Sequence, residues 1–410
     1  MSRPESGLDR ANAKSSRYDA RPVSKDLRVL MVAPGFSVHA RRPLRWLIEA
    51  GCEVTFMDDG DPPSEPRSAY RHERLPAVRG DRVVRALLGE EIARWRRLRR
   101  WTRGLRARRG FDVVHVHWVD DRALACARAG QRPLVISVWG SDVNNVLAAG
   151  ADPRERARVG EALAGADVVV IDDPGMKARA ETVAGRPLAT ELIHVGAASI
   201  FFAPVPAEDV RRWRERLGVP EGTRLLLSVR GWSAIYRHDH ILEAFARASR
   251  LSAVPSVLVF KVSNAPGYSD ATSLERSIRA RVAELGLSEH VRWLEGDVPA
   301  DAMPALYRAA DAILNAPLQD TLPVTFLEAA ASERAVVTTR LPSYEGTFAE
   351  RTFRMAPDDV DAFARAIADE LATPTSPERL AAARSEVERE YSEAVSARRL
   401  LALYRRLATG

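Results

Sequence analysis

Asp320 and Glu328 stand with seven residues between them in the stretch ADAILNAPLQDTLPVTFLEAAASERAVVTT, after an apolar run and across the start of a helical pattern. Backbone N–H groups at a helix start suit a diphosphate, and carboxylates so spaced can accept hydrogen bonds from hydroxyls at the two ends of a long ligand. Upstream, Arg230 closes the run LLLSVR and Arg237 follows it, and a guanidinium grips phosphate through paired charge-assisted hydrogen bonds. A plainer reading also fits the spacing: Asp320 as a helix-start charge, Glu328 as a solvated surface residue, Arg230 as an exposed strand-end charge.

The surrounding elements must hold these groups. Leu27–Ala33 reads as a buried strand ending at Pro34-Gly35, and a helical pattern stopping at Gly51 leads to a second strand over Glu53–Met57. This βαβ unit implies a parallel sheet. Further strands are expected at Val113–Val116, Leu134–Val138, Val168–Ile171 and Leu192–Val195. After a proline-containing stretch, taken as a linker near 203–222, the alternation resumes at Arg224. Strands follow at Val257–Val262, Val291–Leu294, Ala312–Asn315 and Ala335–Thr338. The predicted organisation is a disordered polar leader over 1–26, an α/β domain over 27–205, a second over 206–385, and a helix over 386–410 returning toward the first. Open parallel sheets bind ligands at the carboxyl ends of their strands, so two such edges facing across a cleft suit a reaction between two substrates.

The Asp320–Glu328 stretch resembles the E-x7-E region of retaining GT-B glycosyltransferases, specifically family four, in a variant form acidic-x-Leu-Pro-x4-Glu. The resemblance implies a GT-B fold of two Rossmann-like doubly wound parallel-sheet domains and a nucleotide-sugar co-substrate, UDP- or GDP-linked, with no separate cofactor and no essential metal. It implies that Asp320 holds sugar hydroxyls, Thr321, Leu322 and Pro323 line the diphosphate, and Glu328 grips the ribose. Thr321 and Pro323 replace the commoner glycines there. In LLLSVRGWSAIYRHDHILEAFARA, Arg230 takes the family's Arg position, Tyr236 falls on its usual Lys and Arg237 on its Gly. Arg230 and Arg237 are therefore the cations expected to assist the leaving diphosphate. Gly296 to Val298 match the stretch that cups the base, and Lys261 is a further donor-side candidate. In the first half, Gly35, Phe36 and His39 match the acceptor loop. Trp139, Gly140, Ser141 and Asp142 match the His-Gly-Ser-Asp turn, with Trp139 where a His is often found. Asp142 could equally cap its helix. His115 and His117 share one strand face, as packed structural residues or as catalytic ones.

Other signals bound the reading. The 410 residues suit two or three domains, and a 46% hydrophobic, 28% charged composition is that of a globular protein. Cys52 and Cys126 match no metal spacing, and no run approaches the roughly 20 apolar residues of a membrane span, so a reducing cytoplasm is expected. The D-x-D triplet Asp359-Val360-Asp361 reads as a helix start. No dinucleotide fingerprint, P-loop or zinc-protease motif has a credible setting.

The net charge of +6 is local: residues 81–110 hold eleven Arg against three acids, and the rest of the chain sums to −2. A nucleic-acid partner is not expected. Within this segment Val84, Leu88, Ile92, Trp95, Leu98 and Leu105 fall at helical spacing, with Trp101 just off the stripe. The stripe packs on the first sheet, or residues 84–109 meet a membrane surface, or the arginines meet an anionic acceptor. The function expected is sugar transfer to a small-molecule or natural-product acceptor. Transfer to a lipid or polysaccharide, 2-epimerisation of a nucleotide sugar and an inactive donor-binding protein are the alternatives.

Overall fold

The computed structural model describes residues 27–35, 37–60, 67–77, 80–262 and 271–409. The expected leader over 1–26 and the acceptor-loop candidate Phe36 lie outside the described residues. Short β-branched and aliphatic runs form the central strands. Those of the first sheet are β1 (Arg28–Val32), β2 (Glu53–Asp58), β3 (Arg71–Arg74), β4 (Val113–His117), β5 (Leu134–Ser137), β6 (Val168–Ile171) and β7 (Thr190–Leu192). All pairs are parallel, in the order β3-β2-β1-β4-β5-β6-β7. The second sheet holds β8 (Arg224–Ser228), β9 (Ser256–Lys261), β10 (Val291–Leu294), β11 (Ala312–Asn315), β12 (Ala335–Thr339) and β13 (Arg354–Ala356). Its order is β10-β9-β8-β11-β12-β13, again all parallel. Helices cover both faces of each sheet and bury near-continuous apolar strands, as parallel sheets require. The strand order reverses at β1/β4 and at β8/β11, where doubly wound folds open a ligand crevice.

Local chemistry sets the helix starts. Asp120, Asp152 and Asp173 each accept a backbone N–H two residues on. Asp359 accepts the N–H of Ala362 at 2.7 Å and caps the helix Val360–Ala372, so that member of the D-x-D triplet is a cap.

The final helix, Glu393–Thr409, belongs to the first sheet's core although it is last in the chain. Ala397, Leu400, Leu401, Leu403 and Tyr404 pack with β1 and β2 residues. Glu393 accepts Trp46 Nε1 at 2.6 Å and Arg45 Nη2 at 3.0 Å. The helix enters past Gly196, whose φ is 79°. A Cβ there would lie 2.7 Å from the Glu393 nitrogen and 2.8 Å from the Ser392 carbonyl carbon, so only glycine lets the segments pass.

Three sequence expectations change. Strand β3, with sequence RHER, carries no apolar signal because it is an edge strand paired only to β2. The last first-sheet strand lies at Thr190–Leu192, earlier than expected, although Ile193 N–H still bonds the Ile171 carbonyl. The basic stripe does not pack as a unit. Gly89, at φ 87°, separates the helices Asp81–Leu88 and Glu90–Arg106. Ala93, Leu98, Trp101 and Leu105 are buried, whereas Leu88, Ile92 and Trp95 face solvent.

Candidate functional site

The residues singled out in the second half converge where β8 and β11 end. Arg230 Nη2 lies 2.9 Å from Asp320 Oδ2, and the guanidinium sits 4.0 Å over the centre of the Tyr236 ring. Arg230 is thus held from the side by a carboxylate and from below by an aromatic face. Burial opposes its charge, but Asp320 and Tyr236 more than offset this and keep the guanidinium above its ordinary pKa. Asp320 is raised by burial despite Arg230. Its own backbone is anchored by Ser343 Oγ, which donates to its carbonyl at 2.7 Å.

Arg237 adopts φ 44°, ψ 59°, a left-handed conformation at the N-cap of the helix His238–Leu251, where the resemblance expects glycine. Its side chain is already engaged: Nη1 lies 2.6 Å from Asp358 Oδ1 and Nε donates to the Ala316 carbonyl at 3.0 Å. Its Nη2 is buried without a partner.

Glu328, on the helix Val324–Ala331, is partly buried and does not stand on a solvated surface. Oε2 accepts Tyr307 Oη at 3.0 Å, and Oε1 accepts Arg42 Nη2 at 3.2 Å. Arg42 comes from the helix Val38–Glu49 of the first half and also donates to the Gly196 carbonyl at 2.8 Å. Burial holds the Glu328 carboxyl above the ordinary carboxylate range, with Arg42 and Tyr307 pulling the other way. A second bond crosses the cleft beside it, where Thr321 Oγ1 donates to Asp172 Oδ2 at 2.8 Å. Thr321 also closes on Gly140: a Cβ there, at φ 95°, would be 3.5 Å from Thr321 Cγ2.

Asp172 follows β6 directly, is buried, and has an unpartnered Oδ1. Burial pushes its carboxyl up to about 7, with Asp173, Asp142 and Asp320 adding to the rise and the Thr321 bond opposing it. Asp142 does not cap its own helix. It accepts N–H groups from Trp139, at 3.1 and 3.2 Å, and from Val119 at 3.2 Å, and so ties together the turns after β4 and β5. Its burial outweighs these donors and raises it to about 6.

Rings line the first-half side. His39 stacks on Trp139 with centroids 4.5 Å apart and meets the edge of Trp118 at 5.5 Å. All three are partly exposed. Trp118 carries φ 81°, a costly backbone for a bulky residue. Burial, reinforced by Arg42 and Arg230, lowers His39 to about 4, so it is neutral near pH 7. His115 and His117 are buried. His115 bonds Tyr404 Oη at 2.5 Å and Ser137 Oγ at 2.7 Å, joining the final helix to the first sheet.

The other candidates sit around this centre. Lys261 pairs with Leu294 in the β9–β10 register, adjacent to the turn through Gly296, at φ 80°, and the partly buried Val298. Burial lowers the Lys261 ammonium, with Asp297 opposing. Leu322 is buried in the second core, Pro323 is the N-cap of the Glu328 helix, Gly35 sits in the turn after β1 and Ser141 is exposed. Among the described residues no group of three or more His, Cys, Asp or Glu is arranged to hold a metal ion. Arg42, Asp172, Trp118 and Tyr307 escaped the sequence reading. Asp172 and Trp118 were marked only by following strands at their carboxyl ends, and Arg42 and Tyr307 carried no local signal.

A profile for glycosyl transferases group 1 matches residues 209–386, and one for glycosyltransferase family 4 matches residues 34–197. The chain belongs to this family. It is a retaining, nucleotide-sugar-dependent family 4 glycosyltransferase with the GT-B fold. The glycosyltransferase is 28% identical to the D-inositol 3-phosphate glycosyltransferase of Salinispora arenicola, over 74% of this chain and 71% of that protein. It superposes on the sucrose-phosphate synthase of Thermosynechococcus elongatus with a TM-score of 0.76, at 19% identity, covering 93% of this chain and 99% of that one. The HepE structure from Anabaena with UDP and glucose gives 0.70, at 14% identity, covering 92% and 99%.

Proposed function

We propose that the glycosyltransferase moves a sugar from a UDP-linked donor to a small hydroxylated acceptor, the donor lying at the ends of β8 and β11 and the acceptor at the ends of β1, β4 and β5. The observation that carries this reading is the facing of the two strand-order reversals across one cleft, with Arg42–Glu328 and Asp172–Thr321 bridging it. Arg230 meets the departing diphosphate, where a preorganised cation in an enclosed site stabilises developing charge. Arg237 supplies its unpartnered Nη2 once the chain of contacts through Asp358 shifts. Asp320 and Glu328 accept hydroxyls of the sugar and the ribose, Thr321 to Pro323 line the diphosphate, and Gly296 to Val298 with Lys261 flank the base. The acceptor packs on Trp118, Trp139 and His39, with Gly35, Gly140 and Ser141 around it, and attacks the anomeric carbon from the face the diphosphate leaves.

A uridine donor is favoured by the UDP of the HepE complex, and a small acceptor by the inositol phosphate named for the Salinispora relative. Buried, unpaired Cys52 and Cys126 support a reducing cytoplasmic setting, and a natural-product pathway is compatible with this acceptor class. The two structural units proposed for these roles are residues 27–205 and 206–385.

A thermal-shift panel of UDP, GDP, ADP and TDP tests the donor, because a ligand that binds only the native state raises its melting temperature. Stabilisation by UDP above the others is expected, and stabilisation by GDP alone overturns the uridine assignment. Consumption of UDP-sugar without acceptor, giving the 2-epimer, would identify an epimerase.

A further inference from the structure

The Arg-rich helices carry a surface that the transfer chemistry does not use. Among the described residues eight large hydrophobic side chains are exposed, and five of them fall between Val83 and Trp95. Val83 is 59% exposed, Leu87 76%, Leu88 60%, Ile92 44% and Trp95 56%. The orientation of Ile92 and Trp95, on the helix Glu90–Arg106, is locked from the opposite face. Ala93 is buried, Leu98, Trp101 and Leu105 are buried in the first sheet's core, and Arg94 grips Asp121 through Nε at 2.7 and 2.9 Å and Glu155 through both Nη atoms at 2.6 and 3.0 Å. Arg158 adds a bond to Glu91 at 3.1 Å. With that face held, helical periodicity turns Ile92 and Trp95 outward.

We propose that Val83, Leu87, Leu88, Ile92 and Trp95 form a reversible docking surface for an anionic lipid bilayer. Charge complementarity selects this occupant. Exposed Arg82, Arg99, Arg100 and Arg103 surround the apolar row, Arg99 lies 5.3 Å over the Trp95 ring, and the segment 81–110 holds an excess of eight positive charges. Apolar side chains with an interfacial Trp enter the headgroup boundary while arginines meet lipid phosphates, the arrangement of a helix lying in a membrane surface. A second copy fits less well. A two-fold contact would set one ring of arginines against another, and five side chains fall short of the roughly 20–30 residues a side of a standard interface. No helix of the described residues is long and apolar enough to cross a membrane, so the contact is peripheral. The inference does not depend on whether the acceptor is a lipid.

Co-sedimentation of the full-length protein with phosphatidylcholine vesicles, with and without phosphatidylglycerol, tests it. Pelleting is expected only with the anionic vesicles and should weaken in high salt. The double variant Leu87→Asp/Trp95→Asp should bind them about tenfold or more weakly, and Arg99→Glu/Arg103→Glu similarly, each with an unchanged melting temperature. Pelleting with neither vesicle, equal pelleting with both, or undiminished binding by both variants overturns the proposal. A dimer dissolved by Leu87→Asp/Trp95→Asp in sedimentation velocity, without vesicle binding, overturns it in favour of self-association.

Discussion

Arg42 and Glu328, 286 positions apart, meet across the cleft at 3.2 Å, and this ion pair fastens the first helix of one half to the proposed ribose-binding carboxylate of the other. The same carboxylate accepts Tyr307 on its second oxygen, so a donor entering the cleft competes with, or adds to, a preorganised pair of partners. Substituting Glu328 by Gln should lower kcat/KM for the donor by roughly 10- to 100-fold, the loss of one or two charge-assisted hydrogen bonds. Arg42→Ala removes the cation that holds the Glu328 pKa down, so the acid limb of the pH–rate profile should move to higher pH. An unmoved limb would separate Arg42 from the working of Glu328.

Arg230 is the most constrained cation of the site, and its loss should affect stability as well as turnover. Arg230→Ala leaves Asp320 buried without its counter-charge, at a cost of about 3 kcal/mol, read as a lowered urea midpoint. Arg230→Lys keeps the charge without the planar fork over Tyr236. It should recover much of the stability and little of the turnover, and recovery of both would reduce Arg230 to a point charge.

Arg237 occupies a left-handed position better suited to glycine. Arg237→Gly relieves strain of about 1 kcal/mol while breaking an ion pair to the exposed Asp358, so stability should change little. Turnover should nevertheless fall by tenfold or more if the guanidinium reaches the diphosphate. Wild-type kinetics in this variant would assign Arg237 to folding alone.

Asp172 makes a pH-dependent contribution with a definite sign. Its folded pKa, about 7, lies above the ordinary 3.8, so the native state holds a proton that the unfolded chain releases. That contribution is fully present below about pH 4 and is lost as pH rises through 7. Asp172→Asn cannot ionise, so its melting temperature relative to wild type should climb from pH 5 to about pH 7 and level off above that. A flat difference across that range would show that the carboxyl is not held protonated.

Gly196 connects the fold to the site, since its carbonyl accepts Arg42 while its missing side chain admits the Ser392–Glu393 strand of backbone. Gly196→Ala combines a positive φ with backbone contacts under 3 Å and should cost about 2–4 kcal/mol, checked by denaturant unfolding. A loss under about 0.5 kcal/mol would mean that the final helix can shift without penalty.

Much of this enzyme is legible in its order of residues. Aliphatic runs separated by helical patterns and glycine turns identify two parallel sheets, because side-chain burial on both faces leaves that local signature. The Asp320–Glu328 spacing and Arg230 at a strand end point to one ligand edge by chemistry carried within short segments. Edge strand β3 was silent because RHER needs no apolar face where only one neighbour pairs with it. Partnerships between distant residues had no local signature at all. Arg42 with Glu328, Asp172 with Thr321 and His115 with Tyr404 exist only because the sheets and the returning helix bring them together. The basic segment divides in the same way. Its composition revealed a concentrated positive charge, but which face of the second helix is buried was decided by Arg94 reaching Asp121 and Glu155, a tertiary contact that turns Ile92 and Trp95 outward.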